Sequence, residues 1–64
     1  METQPPLAVQ PLEAARLLGV SRTRVFQLIS AGEIDSFQDG ARRLILTRSL
    51  NDWLERKAQE ARTA

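Results

Sequence analysis

The sequence predicts a mainly helical fold with one small β-hairpin, in the order helix, helix, hairpin, helix. Three observations predict it. Two short stretches of helical apolar spacing, 11–18 and 22–31, flank Gly19. The period then changes over 33–46, around an Asp39-Gly40 dipeptide suited to a tight turn. Finally Leu50, Trp53, Leu54, Ala58 and Ala61 recur at i, i+3, i+4, i+8 and i+11, a helical stripe.

Residues 1–8 hold Pro5-Pro6 and no periodicity, and read as an extended, mobile leader. The folded domain is expected over 9–61. Pro11 suits a first helical turn, where its missing N–H is no loss. Gln10 before it is a poor cap, so this start can fray. Ala14, Ala15 and Leu18 face inward, Leu12 lies at the edge, and Glu13 is favourably placed near the helix N-terminus.

Gly19 is expected to end the first helix in the left-handed conformation, which costs other residues a steric penalty. Ala15 is small enough for a second helix to cross closely, and Val20 fills the gap between the two. Ser21 can cap the second helix by accepting a backbone N–H. From there Arg22, Thr23, Arg24 and Gln27 fall on the exposed face, while Val25, Leu28 and Ile29 fall on the buried one. Such a corner is a helix-turn-helix. A helix opening with two arginines and hydrogen-bonding side chains suits the major groove of DNA, although similar corners also occur in purely structural helical hairpins.

Gly32 closes the second helix. The run Glu33-Ile34-Asp35-Ser36-Phe37-Gln38 and its return from Ala41 to Leu46 form the hairpin. Two strands cannot stand alone in water, so the hairpin must lean on the helices. Placed behind a helix-turn-helix it is a wing, with Arg42 and Arg43 near its tip; one can reach phosphate or the minor groove while the other lies along the sheet. A plain stabilising hairpin with solvated arginines would read the same way. The whole is a winged helix-turn-helix.

The third helix starts near Thr47, a plausible cap, or two residues later through a capping box of Ser49 and Asp52. Trp53 belongs in the core. The outer face, with Asn51, Asp52, Glu55, Arg56, Gln59 and Glu60, is acidic and mixed and should point away from DNA. Residues 62–64 are expected to fray.

At 64 residues the chain is one domain, near the lower size limit for folding without staples. It has no cysteine and no histidine, which excludes disulfides and the usual zinc sites, and no cofactor is expected. Phe26, Phe37 and Trp53 are its only large rings. No apolar run approaches a membrane span and no signal peptide is visible, so a soluble intracellular protein is expected.

Net charge is only +1, so distribution says more than the sum. Lys57 is the single lysine among nine basic residues, and Arg22, Arg24, Arg42, Arg43 and Arg48 all lie between Ser21 and Leu50. Arginine is favoured where a planar fork must meet phosphate or guanine edges. An enzyme is not expected: without histidine or cysteine, acid-base work would fall to carboxylates scattered on exposed faces.

The run Glu-Ala-Ala-Arg-Leu-Leu-Gly-Val-Ser-Arg (13–22), with Val25, Leu28-Ile29, Gly32-Glu33-Ile34, the Gly40 turn, Arg42-Arg43-Leu44-Ile45, Ser49-Leu50 and Trp53-Leu54, resembles the excisionase family. These are small DNA-binding proteins with a MerR-like winged-helix fold, found in phages and integrated mobile elements. The resemblance covers about 9–56 without a gap. It implies a second helix in the major groove and a wing on the flanking backbone. It also implies a recombination directionality factor that binds and bends attachment-site DNA and biases an integrase toward excision; some members act as transcription regulators instead.

By this resemblance Ser21, Arg22 and Thr23 match the groove-reading start, and Arg42 and Arg43 match the basic wing. Members often carry threonine at the place of Arg24, tyrosine at Phe26 and arginine at Gln27. Phe26 has no hydroxyl to give a phosphate, whereas Gln27 could read adenine. The expected DNA-binding set is Ser21, Arg22, Thr23, Arg24, Gln27, Arg42, Arg43 and Arg48, with double-stranded DNA as partner, no membrane and no metal. With no dimerising coiled coil after the third helix, a monomer that binds repeated sites side by side is expected, in the bacterial cytoplasm and associated with the nucleoid. A helical protein-interaction module is the remaining alternative.

Overall fold

The computed structural model describes residues 6–63. In chain order they form β1 (Ala8–Val9), α1 (Pro11–Leu18), α2 (Arg22–Ser30), β2 (Ser36–Asp39), β3 (Arg42–Leu46) and α3 (Thr47–Thr63). This is the expected winged helix-turn-helix, with one strand more than expected. No helix among the described residues is long and apolar enough to cross a membrane.

α1 begins with Pro11 at its first turn, and Gln10 makes no side-chain cap. It ends where Gly19 takes φ +75°, and the Gly19 and Val20 N–H groups both donate to the Ala15 carbonyl, at 2.8 and 3.0 Å. That closure turns the chain into α2 within three residues. The Ser21 hydroxyl then accepts the Arg24 N–H at 3.1 Å, satisfying one of the orphan donors of the new helix. α2 stops one residue earlier than expected, at Ser30. The Glu33 N–H reaches the Leu28 carbonyl at 2.9 Å, and the Gly32 N–H reaches the Ile29 carbonyl at 3.0 Å, a complete Schellman closure.

The sheet is antiparallel in the order β1-β3-β2. Asp39 pairs with Arg42, so the two-residue loop is Gly40-Ala41, one residue later than the expected Asp39-Gly40 turn. Gly40 has φ +61° and Ala41 stays at negative φ, the pattern of a II′ hairpin turn, which matches the twist of the flanking strands. β1 pairs Ala8 with Leu46 and Val9 with Ile45. Two hydrogen bonds from Thr47 hold the approach to it: the backbone N–H donates to the Leu7 carbonyl at 2.9 Å and the hydroxyl to the Pro6 carbonyl at 2.7 Å. Residues 6–8, expected in the leader, are therefore tied to the sheet. The rest of that segment lies outside the described residues.

The core lies where α1, α2 and α3 meet the inner face of the sheet. Ala14, Ala15, Val25 and Leu28 come from the helix pair, Val9 and Ile45 from the sheet, Ile34 from the segment after α2, and Leu50 and Trp53 from α3; Leu18, Val20 and Ile29 pack against them. The alanines are nearly inaccessible, 0% and 3%, as a close crossing of α1 and α2 requires. Phe37 remains outside, 44% exposed on edge strand β2, on the opposite face from Ser36 and Gln38.

α3 runs through Thr63, further than expected, and Ala64 lies outside the described residues. Only its first half has a body to pack on: Leu50 and Trp53 are buried, Leu54 is 43% exposed and Ala61 is exposed. A 17-residue helix is about 25 Å long, and the apolar stripe outlasts the surface it covers. Ser49 is not a cap. It is buried inside the helix, its hydroxyl donating to the Leu46 carbonyl at 2.9 Å and accepting the Asp35 N–H at 3.1 Å.

Candidate nucleic-acid interface

The outward face of α2 is set by its inward one. Val25 and Leu28 are fully buried, and their position fixes the helix rotation, leaving Arg22, Thr23, Arg24 and Gln27 exposed. The first turn of α2 contains two arginines and no acid. Cations there oppose the positive end of the helix dipole, so they do not serve helix stability. What they create is concentrated positive potential, with Ser21 and Thr23 hydroxyls beside it. The Arg22 guanidinium lies over the Phe26 ring, its central carbon 4.9 Å from the centroid.

Arg42 and Arg43 diverge because neighbouring strand residues point to opposite faces. Arg42 is exposed. Arg43 is half-buried, and its Nη1 donates to Ser36 Oγ at 3.2 Å across the hairpin. The turn between them is braced by Gln38 Nε2 donating to the Gly40 carbonyl at 3.0 Å. Arg48 is exposed in the first turn of α3, again a turn without acids.

Among the described residues the ion pairs are Arg16 with Glu13 at 3.6 Å, and Lys57 with Glu33 at 3.8 Å and with Glu60 at 3.3 Å. None involves Arg22, Arg24, Arg42, Arg43 or Arg48. All five are thus without a carboxylate partner, as are Arg56 and Arg62 among the described residues; of the acids, Glu13, Glu33 and Glu60 are the paired ones. Asp52, Glu55 and Glu60 stay on the exposed side of α3, as expected.

One cation escaped the sequence reading. Arg16, in the last turn of α1 and paired with Glu13, lines with Arg42, Leu12, Glu13 and Leu44 a shallow concavity of about 470 Å³. The available signal was its place in the last turn before Gly19; the convergence on Arg42 exists only once β1 has drawn the wing beside α1.

No group of three or more acidic, cysteine or histidine side chains among the described residues could hold a metal. No curated protein and no solved structure matches the chain significantly. The family model for a helix-turn-helix domain matches residues 12–58, which take in α1, α2, the hairpin and most of α3. That family includes excisionase-like proteins and is typically non-enzymatic. A corner closed by Gly19 and capped by Ser21, a hairpin behind it and a match over most of the chain make this protein a member of the DNA-binding helix-turn-helix domain family.

Proposed function

We propose that α2 lies in the major groove, with Ser21, Arg22, Thr23, Arg24 and Gln27 facing the DNA, while Arg42, Arg43 and Arg48 hold the flanking backbone. The observation that carries this reading is the set of exposed arginines without a carboxylate partner at the start of α2 and on the wing, on a helix whose first turn holds no acid. Arg22 and Gln27 are exposed there, and their side-chain types make bidentate base contacts, to guanine and adenine respectively. The wing contacts fix register on the duplex without reading sequence. Of the two wing arginines, Arg42 is the exposed one and makes the larger contact, while Arg43 leans on Ser36.

The biological role in this reading is that of an excisionase, a recombination directionality factor that binds and bends attachment-site DNA beside an integrase. The motif resemblance over 13–54 and membership in a family that includes excisionase-like proteins support it. Monomers bind repeated sites side by side, and the protein acts in the cytoplasm where the nucleoid lies.

Binding is tested by titrating the parent, Arg22→Ala and Gln27→Ala against two duplexes: one selected by the parent from a randomised pool, and one scrambled. Each substitution should weaken the selected duplex by about 1–3 kcal/mol and the scrambled one much less. Equal losses on both would move the readout off α2. The role is tested by footprinting the DNA around the native locus and by scoring excision of the integrated element with and without the protein. Protection of an integrase attachment site and a rise in excision are expected; protection confined to a promoter, with excision unchanged, would make it a transcription regulator.

A further inference from the structure

Phe26 is the only aromatic residue of α2, and it stands four residues after Arg22. Helical side chains lean toward the N-terminus, so a ring at this position leans back onto the turn where Arg22 starts. The guanidinium meets it at 4.9 Å from the centroid. The ring is half-buried and the arginine exposed, so the ring is the fixed member and the arginine the guided one.

We propose that Phe26 is a positioning residue for DNA recognition: its ring holds the Arg22 guanidinium in place for a base edge, making Arg22, not Arg24, the specificity-determining arginine of α2. The inference rests on the reading of α2 as the groove-binding helix. A guanidinium stacks through its flat face, whereas its N–H donors lie in the plane and point outward from the edge. In the proposed arrangement, with the guanidinium flat on the ring, none of the donors that a guanine O6 and N7 would take is consumed. It also removes part of the rotamer freedom that a long exposed side chain otherwise loses on binding.

Arg24 has no such support. Among the described residues the cation–π pairs are Arg22 on Phe26 and Lys57 on Trp53. Arg24 is exposed, and its own backbone N–H is the one that Ser21 caps. An exposed arginine with no ring beneath it suits a phosphate, which tolerates many approach angles. The two arginines of α2 thus divide the work by whether a ring lies beneath them.

The test is a double-mutant cycle between Arg22→Ala and Phe26→Leu, read as the ratio of affinities for the selected and scrambled duplexes, with thermal melts of every variant. Phe26→Met fills more of the same space and replaces Phe26→Leu if the latter does not fold. Removing the ring should lower the ratio about two- to five-fold, the range of a cation–π contact at an exposed site. It should change nothing further in the Arg22→Ala background, and Phe26→Tyr should keep the ratio of the parent. A full effect of ring removal without Arg22, or no effect with it, overturns the proposal while leaving α2 as the reading helix. No change in the ratio for Arg22→Ala alone also overturns the proposal, whereas no change for either Arg22→Ala or Gln27→Ala would overturn the reading of α2 itself.

A measurement on the unaltered protein stands beside the variants. The Arg22 side-chain protons should show an upfield ring-current shift that persists when the selected duplex is bound. Loss of that shift on binding overturns the proposal.

Discussion

The Trp53 indole N–H donates to Glu33 Oε1 at 3.2 Å, tying the middle of α3 to the corner between α2 and the wing. Lys57 Nζ approaches the same oxygen at 3.8 Å, and Arg56 Nη2 donates to the Glu33 carbonyl at 2.7 Å. Three side chains of α3 thus converge on one residue, three positions before β2 begins. α3 is what fixes where the wing stands relative to α2.

Trp53→Ala should abolish the fold. Removing a buried tryptophan costs about 3–5 kcal/mol, and a core of this size supplies about 3–5 kcal/mol in all. Circular dichroism should show loss of the helical signal at 25 °C and no cooperative transition on heating. A transition near that of the parent would mean that the indole carries little of the core.

Ser49→Ala should be costly for a serine. Its hydroxyl holds the Asp35 N–H and the Leu46 carbonyl together at a buried position. A partly buried N–H left without a partner costs about 1–3 kcal/mol, whereas an exposed control such as Ser30→Ala should stay within about 0.5 kcal/mol. Native-state hydrogen exchange gives the sharper readout: the Asp35 amide should exchange faster in Ser49→Ala, and an unchanged rate there would remove Ser49 from the role.

Gly19→Ala isolates a backbone effect. A Cβ at Gly19 would meet nothing within 4 Å, so the only penalty is φ +75° itself. That amounts to about 1–2 kcal/mol, or a fall in Tm of about 4–8 °C per kcal/mol for a domain of this size. Gly19→Asn should lose less, because asparagine tolerates the left-handed region better. Equal losses for the two would point to a packing clash instead.

The wing arginines should separate. In the proposed complex Arg42→Ala removes a phosphate contact, and the slope of log affinity against log salt becomes shallower by about 0.9 on any duplex. Arg43→Ala removes a side chain that already leans on Ser36, so it should change that slope less and lower stability by about 1 kcal/mol. Titrations between 50 and 200 mM salt decide it, about the range over which such losses are large. Identical slopes for Arg42→Ala and the parent would leave the wing a structural hairpin.

The helices, the hairpin and the corner between α1 and α2 were legible because each rests on neighbours in sequence. Gly19, Ser21, the spacing of Val25 and Leu28, and the stripe through Leu50 and Trp53 act within a turn or two of themselves. β1 was not legible: Ala8–Val9 is too short to show a period, and it becomes a strand only because β3 presents an open edge. The sequence offers Ser49 as an alternative cap to Thr47, and its true role was hidden because its partner, Asp35, is fourteen residues away. Of the candidate site, the exposed face of α2 could be read from its buried face. The divergence of Arg42 from Arg43 and the seat of Arg22 on Phe26 could not.

By itself, then, the sequence determined the order of the three helices and the hairpin, the Gly19 corner and which face of α2 carries cations, since those follow from backbone preference and local periodicity. Only the tertiary structure decided which cations stand free. Whether an arginine is paired, stacked or solvated depends on what the fold brings within a few ångströms of its end. The long side chain reaches well past its sequence neighbours: Arg43 finds Ser36 across the hairpin, Arg56 finds the Glu33 carbonyl across the domain, and Arg42 finds open solvent.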